Sequence, residues 1–278
     1  MLSRKLENWQ KIPELKGLLD LPSPPKEIFY SGNFNPDIFK DCVALVGSRK
    51  MTDYGARVIE KIVPSLVMQG KTIVSGFMYG VDQHAHKTCI ESGGKTIAVL
   101  GWGINCPLNG TDLDLAEKIV STGGILISEW ESQKPTLWTF PSRNRIVAAL
   151  SGDIFVVEAA EKSGSLITAS LASKLKRNLW AIPGPVTSRT SKGTNNLIAS
   201  GKARMWLDNT SKESRPTFEV NEDPILEILL SEALTADELA RKLNSPVSET
   251  GAKLSMLLLS GQVIEKAGKY FVNDEVKI

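Results

Sequence analysis

Six short apolar runs, each separated from the next by a helix-length segment, constrain the fold of this 278-residue chain more than any other feature. The runs lie at 43–47, 72–76, 96–101, 124–129, 153–159 and 178–184. They are nearly continuous in apolar residues, as strands are when helices cover both faces of a parallel sheet. The pattern predicts an α/β fold with an extended Rossmann-like, doubly wound, mostly parallel sheet. Such sheets bind ligands beyond the carboxyl ends of their strands.

Smaller parts flank the predicted sheet. The predicted domains are a short N-terminal helical or lead-in segment (1–40), the Rossmann-like domain (41–207), a polar linker (208–221) and a C-terminal domain (222–278). In the last part three helical patterns precede a hairpin pattern with a turn near Ala267-Gly268, and Thr235 and Glu238 have capping-box spacing. Three helices and a hairpin predict a small winged-helix domain.

Composition narrows the compartment and the class of partner. The chain is 42% hydrophobic, has no run of transmembrane length and carries charges throughout its first twenty residues, which predicts a cytoplasmic protein without membrane contact. Cys42, Cys89 and Cys106 have no metal spacing and are predicted to be buried free thiols. Residues 41–210 carry 19 lysines and arginines against 14 acidic residues, whereas residues 211–278 carry 8 against 12. A polyanion should therefore prefer the middle domain.

Small, hydroxyl and basic residues follow several predicted strands. Gly47-Ser48-Arg49 and Ser75-Gly76 end two of them, and Ser163-Gly164-Ser165, with Thr168 one turn on, opens a helix after a third. Free backbone N–H groups and the helix dipole make such a helix start an anion site, to which arginines can add bidentate contacts. The alternatives are a plain turn and a simple helix cap. Several such residues together favour phosphate.

Two further groups of residues are candidates for contact with a nucleic acid. Arg143-Asn144-Arg145 is predicted at the head of a helix, where the dipole disfavours cations and an anionic partner would relieve the penalty. The alternative is a solvated helix start. Trp138 and Phe140 are candidates for stacking on bases, although packing is expected for at least half of the tryptophans.

Other chemistries find little support in the sequence. Asp82 and His86 share a helix face with no third ligand, so a hydrogen bond between them is expected instead of a metal site. Gly101 and Gly103 lack the third glycine of a dinucleotide fingerprint. Neither a Walker A motif nor a nucleophile elbow occurs. We therefore predict a non-enzymatic protein without a cofactor or metal.

Seven ordered blocks resemble the DNA-processing protein A (DprA/Smf) family over nearly the full chain. They are VALVGSRKMTDYG (43–55), IVSGFMYGVDQHAH (73–86), GGKTIAVLGWGI (93–104), GGILISE (123–129), FPSRNRI (140–146), VVEAAEKSGSLITASLA (156–172) and AIPGP…SKGTNNLIASG (181–201). The resemblance implies a homodimeric protein that binds and protects single-stranded DNA and helps to load a RecA-type recombinase in natural transformation.

The residues and the resemblance together predict a DNA-binding set. It comprises Gly47, Ser48, Arg49, Ser75, Gly76, Lys134, Trp138, Phe140, Arg143, Asn144, Arg145, Ser163, Gly164, Ser165 and Thr168, supported from the far side by Gly193, Thr194 and Asn195. Where the family commonly has a small residue after Ser75-Gly76, this chain has Phe77-Met78-Tyr79, which is expected to narrow the pocket or to add stacking.

Alternative functions remain open at this point. Related Rossmann-like folds include nucleotide sensors and nucleoside-monophosphate phosphoribohydrolases. For the phosphoribohydrolase, Glu158 and Glu129 are the candidate carboxylates. A scaffold protein that binds no ligand is the least supported hypothesis. The net acidic winged-helix domain is expected to contact protein or to support a dimer instead of reading duplex DNA, because duplex readers are normally basic.

Overall fold

A nine-stranded sheet organises the N-terminal part of the protein. The structure is a computed structural model that describes residues 2–207 and 224–272. Its first unit contains the strands β1 (Ser3–Lys5), β2 (Phe29–Gly32), β3 (Cys42–Val46), β4 (Thr72–Ser75), β5 (Thr96–Val99), β6 (Ile125–Ser128), β7 (Asp153–Val156), β8 (Asn178–Ala181) and β9 (Arg204–Met205). Their order in the sheet is β1-β2-β6-β5-β4-β3-β7-β8-β9. Pairing is parallel from β6 to β9 and antiparallel at β1–β2 and β2–β6.

Helices cover both faces of this sheet. They are α1 (Asp53–Met68), α2 (Val81–Glu91), α3 (Thr111–Ser121), α4 (Thr139–Leu150), α5 (Ser165–Lys174) and α6 (Lys192–Ala199). Alternate residues of β3 enter opposite cores: Val43 and Leu45 pack with α1 and α2, whereas Ala44 and Val46 pack with α4 and α5. Burial on both faces explains the continuous apolar runs. The doubly wound, mostly parallel sheet and all six predicted strands are confirmed.

The N-terminal segment differs from its prediction. Its helical character is limited to the 3-10 helices Trp9–Lys11, Pro13–Asp20 and Pro36–Phe39, and it also supplies β1 and β2 to the sheet edge. Leu15 and Leu18 are buried in the core beside α4. Residues 2–40 thus share a compact unit with the Rossmann-like residues that follow. The strands β1 and β2 are too short to show a period of two in the sequence.

The C-terminal unit is a separate compact body. Its described part contains α7 (Pro224–Ser231), α8 (Ala236–Leu243), α9 (Val247–Leu259) and the antiparallel pair β10 (Val263–Lys266) and β11 (Lys269–Val272). Thr235 and Glu238 form the capping box, and Ala267 and Gly268 turn the hairpin at φ 53° and 76°. The winged-helix prediction is confirmed. The predicted linker, 208–221, lies outside the described residues.

Two further features concern the whole described chain. Within it, no helix is long and apolar enough to span a membrane. Cys42 and Cys89 are buried free thiols, and burial raises the pKa of each to about 12. Cys106 is a free thiol too but is half-buried, because it lies in the loop after β5.

Candidate nucleic-acid interface

A cleft of about 810 Å³ opens at the carboxyl ends of β3, β4 and β7. After β3 the chain adds β4, β5 and β6 on one side and then crosses back to place β7 on the other side of β3. Loops leaving β3 and β7 therefore diverge, and this switch in strand order creates a crevice. Eleven predicted site residues line it: Gly47, Ser48, Arg49, Gly76, Phe140, Arg143, Asn144, Ser163, Gly164, Ser165 and Thr168.

Arg49 is the exposed cation at the mouth of the cleft. Its guanidinium lies over the ring of Phe140, 4.9 Å from the ring centroid. The Ser48 hydroxyl accepts a hydrogen bond from the Lys50 amide at 3.0 Å, which orders the loop that carries Arg49. No described carboxylate forms an ion pair with this arginine. A guanidinium held flat on a ring keeps its N–H donors available to an anion.

Arg143, in contrast, belongs to the floor of the cleft. The side chain is buried with 3% exposure, and the guanidinium donates to the Val99 carbonyl and lies 3.8 Å from the Asp82 carboxylate. Burial raises the pKa of the Asp82 carboxyl, against the opposing effect of Arg143. Gly76 makes room for this pair, because a Cβ there would lie 2.1 Å from both Arg143 and Asp82.

Arg143 does not lie at the head of its helix, where the sequence predicted it. The helix α4 begins at Thr139, so Arg143 is its fifth residue and Arg145 its seventh. Neither is at the first turn, where the dipole penalises a cation. Arg145 does not line the cleft, and its guanidinium is paired with Glu129. The sequence predicted that the helix begins at Arg143, but α4 begins four residues earlier. No clear capping residue marks that start in the sequence.

The start of α5 forms another part of the cleft lining. The helix begins at Ser165 after Gly164, whose backbone is already helical and gives no side-chain cap. The hydroxyls of Ser163 and Ser165 lie 2.8 Å apart, and Asn144 Nδ2 donates to the Gly164 carbonyl at 3.3 Å. This arrangement presents hydroxyl groups and the positive end of a helix to the cleft. It can bind phosphate.

The other predicted residues lie around the cleft but do not line it. The buried Ser75 hydroxyl donates to the Leu45 carbonyl at 2.6 Å and ties β4 to β3. Trp138 is 56% exposed and packs edge-on against Trp130, with ring centroids 5.7 Å apart. Lys134 is exposed in the loop that precedes α4. Trp138 thus offers an aromatic surface beside the cleft, next to the lining residue Leu137.

The segment Gly193-Thr194-Asn195 lies outside the cleft lining and is hydrogen-bonded to neighbouring loops. The Gly193 amide donates to the Ala159 carbonyl at 2.8 Å, and the Asn195 side chain exchanges hydrogen bonds with the backbone of Gly184 at 3.0 and 3.1 Å. Thr194 is buried and donates to the Ser191 carbonyl. These bonds fix the start of α6 against the loops after β7 and β8.

Sequence reasoning missed several lining residues. They are Val46, Met78, Asp82, Leu137, Pro141, Val147, Ala160, Glu161, Lys162, Arg189 and Lys192. In the segment Phe77-Met78-Tyr79, where this chain departs from the family pattern, Met78 lines the cleft. Phe77 is buried in the core. Lys162 directly precedes Ser163, and Lys192 directly precedes Gly193. Their proximity to predicted residues was the signal that could have found them.

The expected hydrogen bond between Asp82 and His86 does not form. His86 is buried, with Nε2 2.6 Å from the Gly76 carbonyl and Nδ1 2.7 Å from the Thr96 hydroxyl. Burial lowers the pKa of His86 to about 4, so the ring is neutral at pH 7 and donates from Nε2. The side chain thereby locks the turn after β4. Among the described residues, no group of three potential metal ligands occurs.

Glu158 and Glu129, the two carboxylates that a phosphoribohydrolase would need, interact with other side chains and with the backbone. Glu158 is 2% exposed and accepts hydrogen bonds from the Thr52 amide (2.8 Å), the Thr52 hydroxyl (2.7 Å) and the Thr190 hydroxyl (3.0 Å). Glu129 is paired with Arg145. Neither side chain lines the cleft. Glu158 joins the loops after β3 and β8, which is a structural role.

Comparisons with known proteins agree with this geometry. Residues 7–214 match the family described as DNA recombination-mediator protein A, and residues 210–269 match the DprA winged helix domain. Protein Smf of Escherichia coli is 33% identical over 279 residues, covering 93% of this chain and 74% of that protein. Protein Smf of Synechocystis is 39% identical over 195 residues, 69% of this chain but 49% of the relative, so the match spans about half the length of that relative.

A solved structure is similar as well. It is DNA processing protein A from Helicobacter pylori, studied for its single-stranded DNA binding mode. The two chains are 29% identical with a TM-score of 0.65, and the match covers 74% of this chain and 91% of that one.

Proposed function

Because the chain belongs to the DNA recombination-mediator protein A (DprA/Smf) family of DNA-processing proteins, we propose that its first unit binds single-stranded DNA in the cleft. The observation that carries the proposal is the exposed Arg49 guanidinium, held over Phe140 in the same cleft that the start of α5 lines. The similar Helicobacter pylori protein binds single-stranded DNA, which supports the same ligand here.

Different parts of the cleft lining would bind different phosphates of the strand. Arg49 donates to one phosphate, and the hydroxyls of Ser163 and Ser165 at the start of α5 donate to another. Trp138 stacks on a base beside the cleft. Arg143 acts as a positioning residue, because its buried guanidinium is bonded to Val99 and Asp82 and holds the floor. Phosphate contacts and stacking are insensitive to base identity, so sequence preference is slight.

At the level of the cell we propose a recombination mediator. The protein protects incoming single-stranded DNA and helps to load a RecA-type recombinase in natural transformation, acting as a cytoplasmic homodimer without catalysis. The family membership supports this part of the proposal. It is consistent with the engagement of Glu158 and Glu129 in structural bonds, which leaves the alternative of a phosphoribohydrolase without its candidate carboxylates.

Fluorescence anisotropy with a labelled oligo-dT strand tests the DNA site. Arg49→Ala should weaken binding by about 1–3 kcal/mol, because a charge-assisted hydrogen bond to phosphate is lost. Arg57→Ala is the matched control, since Arg57 is exposed on α1 outside the cleft. Equal affinities for wild type and Arg49→Ala would reject the assigned site. No binding by wild type at low salt would reject single-stranded DNA as the ligand.

A further inference from the structure

Three cations that the sequence analysis did not select line the same cleft. Lys162 lies in the loop between β7 and α5, Arg189 in the loop between β8 and α6, and Lys192 at the first position of α6. All three side chains are exposed. Within the described chain, none of them forms an ion pair. We call these three residues the cationic row.

The order of the strands places the cationic row in line with Arg49. Arg49 follows β3, Lys162 follows β7, and Arg189 and Lys192 follow β8; these strands are successive neighbours in the sheet. Neighbouring strands lie about 4.8 Å apart, so the carboxyl ends of β3 and β8 are about 10 Å apart. Cations are thereby spread across the edge of the sheet over a length that suits more than one phosphate of an extended strand.

The helix dipoles give an independent reason to expect an anion there. Lys192 is the first residue of α6, and Lys162 lies three residues before the start of α5. A cation near the positive end of a helix is unfavourable, and a bound anion relieves the repulsion. The Thr194 hydroxyl donates to the Ser191 carbonyl and the Gly193 amide donates to the Ala159 carbonyl, so the position of Lys192 is fixed by the fold.

We propose that the cationic row is a second phosphate-binding site, which guides the DNA backbone from Arg49 across the carboxyl ends of β7 and β8. The proposal rests on the proposed function, since it extends the path of the same single strand. Lys162 contacts the phosphate that follows the α5 start, and Arg189 and Lys192 contact the next phosphates along the path. The strand therefore crosses the sheet edge instead of entering the cleft by one nucleotide alone.

Glu161 provides a second, opposite test of this path. It is an exposed carboxylate in the lining, directly beside Lys162. A phosphate that passes Lys162 must also pass this negative charge. Glu161→Gln should therefore tighten oligo-dT binding by about two- to fivefold, the effect of one partly screened surface charge.

The salt dependence of oligo-dT affinity measures the number of phosphate contacts. Each contact to a single strand contributes about 0.7 to the slope of log K against log salt concentration. The triple variant Lys162→Gln, Arg189→Gln, Lys192→Gln should lower the magnitude of that slope by about 2. The matched control is Lys16→Gln, Lys87→Gln, Lys118→Gln, which removes the same charge from exposed positions outside the cleft.

The possible outcomes separate this inference from the proposed function. A reduced slope in the triple variant, with the control unchanged and with tighter binding by Glu161→Gln, supports the cationic row. If wild type binds oligo-dT and the triple variant has the same salt slope as wild type, the cationic row does not contact phosphates. The proposed DNA site would remain. Failure of wild type to bind overturns both. Unchanged melting temperatures in both triple variants would confirm that the comparison is between folded proteins.

Discussion

At the scale of single residues, the cleft depends on close contacts that leave no spare volume. Gly76 ends β4 beneath Arg143 and Asp82, and its carbonyl accepts from His86. Arg143 in turn reaches the last residue of β5, Val99. One glycine, one buried ion pair and one neutral histidine therefore fix the carboxyl ends of β4 and β5 relative to each other. The exposed Arg49 can be precise only because this floor beneath it is rigid.

Gly76→Ala should destabilise the first unit strongly. Its Cβ would lie 2.1 Å from both partners of the buried pair, so the pair must separate or the backbone must shift. We expect the melting temperature to fall by about 5–15 °C. Gly152→Ala is the control, because a Cβ there meets no atom within 4 Å. Equal melting temperatures for the two variants would show that the floor is not tightly packed.

His86 should make stability depend on pH. Its pKa is about 4 in the folded protein and near the ordinary 6.5 when unfolded, so the unfolded chain takes up the proton first. The stabilisation is complete above pH 6.5 and is lost as the pH falls towards 4, by up to about 3 kcal/mol. Urea unfolding at pH 7.5 and pH 5 measures it. His86→Gln should lose more stability at pH 7.5 than at pH 5; an equal loss at both values would contradict a neutral buried ring.

At the scale of elements, helix starts decide where function can be placed. The starts of α5 and α6 both border the cleft, and both carry basic residues close by. The winged-helix unit uses its helix starts differently. Thr235 and Glu238 satisfy the first amides of α8 with their own side chains, so that start is closed to a ligand. Hydroxyl and basic groups beside a helix start can bind anions, whereas a capping box stabilises its own helix.

Thr235→Ala should loosen α8. Loss of the capping hydroxyl removes the acceptor for the Glu238 amide and costs about 1 kcal/mol. Hydrogen exchange of the α8 amides in the full chain should become about five times faster, since that free energy governs local opening. Thr235→Ser keeps the hydroxyl and serves as the control. Exchange as slow in Thr235→Ala as in Thr235→Ser would exclude a stabilising role for the box.

At the scale of the whole molecule, charge is divided between the two units. The first contains the cleft with Arg49 and the cationic row, whereas residues 211–278 are net acidic. The single lysine of α9, Lys253, lies 3.6 Å from Glu249 on the same helix. This helix therefore has little net positive potential for a phosphate backbone, which favours a protein contact for the winged-helix unit.

A chain ending at Leu207 should keep the DNA site. We expect its oligo-dT affinity to stay within about threefold of the full chain, with the same salt slope, because no phosphate contact is removed. Anisotropy of both proteins over one salt series provides the comparison. A loss of tenfold or more, or a shallower slope, would assign part of the DNA path to the C-terminal unit.

Local patterns in the sequence determined the elements. Continuous apolar runs specified β3 to β8, the Thr235 box specified α8, and the Ser163-Gly164-Ser165 segment specified the start of α5. These features depend on residues a few positions apart, whose burial or hydrogen bonding is dictated by the local backbone. The sequence also placed Arg49 correctly at the carboxyl edge of the sheet.

Tertiary structure alone decided which side chains meet. Arg143 turned inward to Asp82 and Val99, and Arg145 turned to Glu129, although the two arginines are two positions apart on one helix. Lys162 and Arg189 joined Arg49 because β7 and β8 pair beside β3, after more than a hundred residues of intervening chain. Strand order and side-chain direction arise from long-range pairing and packing, for which neighbouring residues provide no local signal.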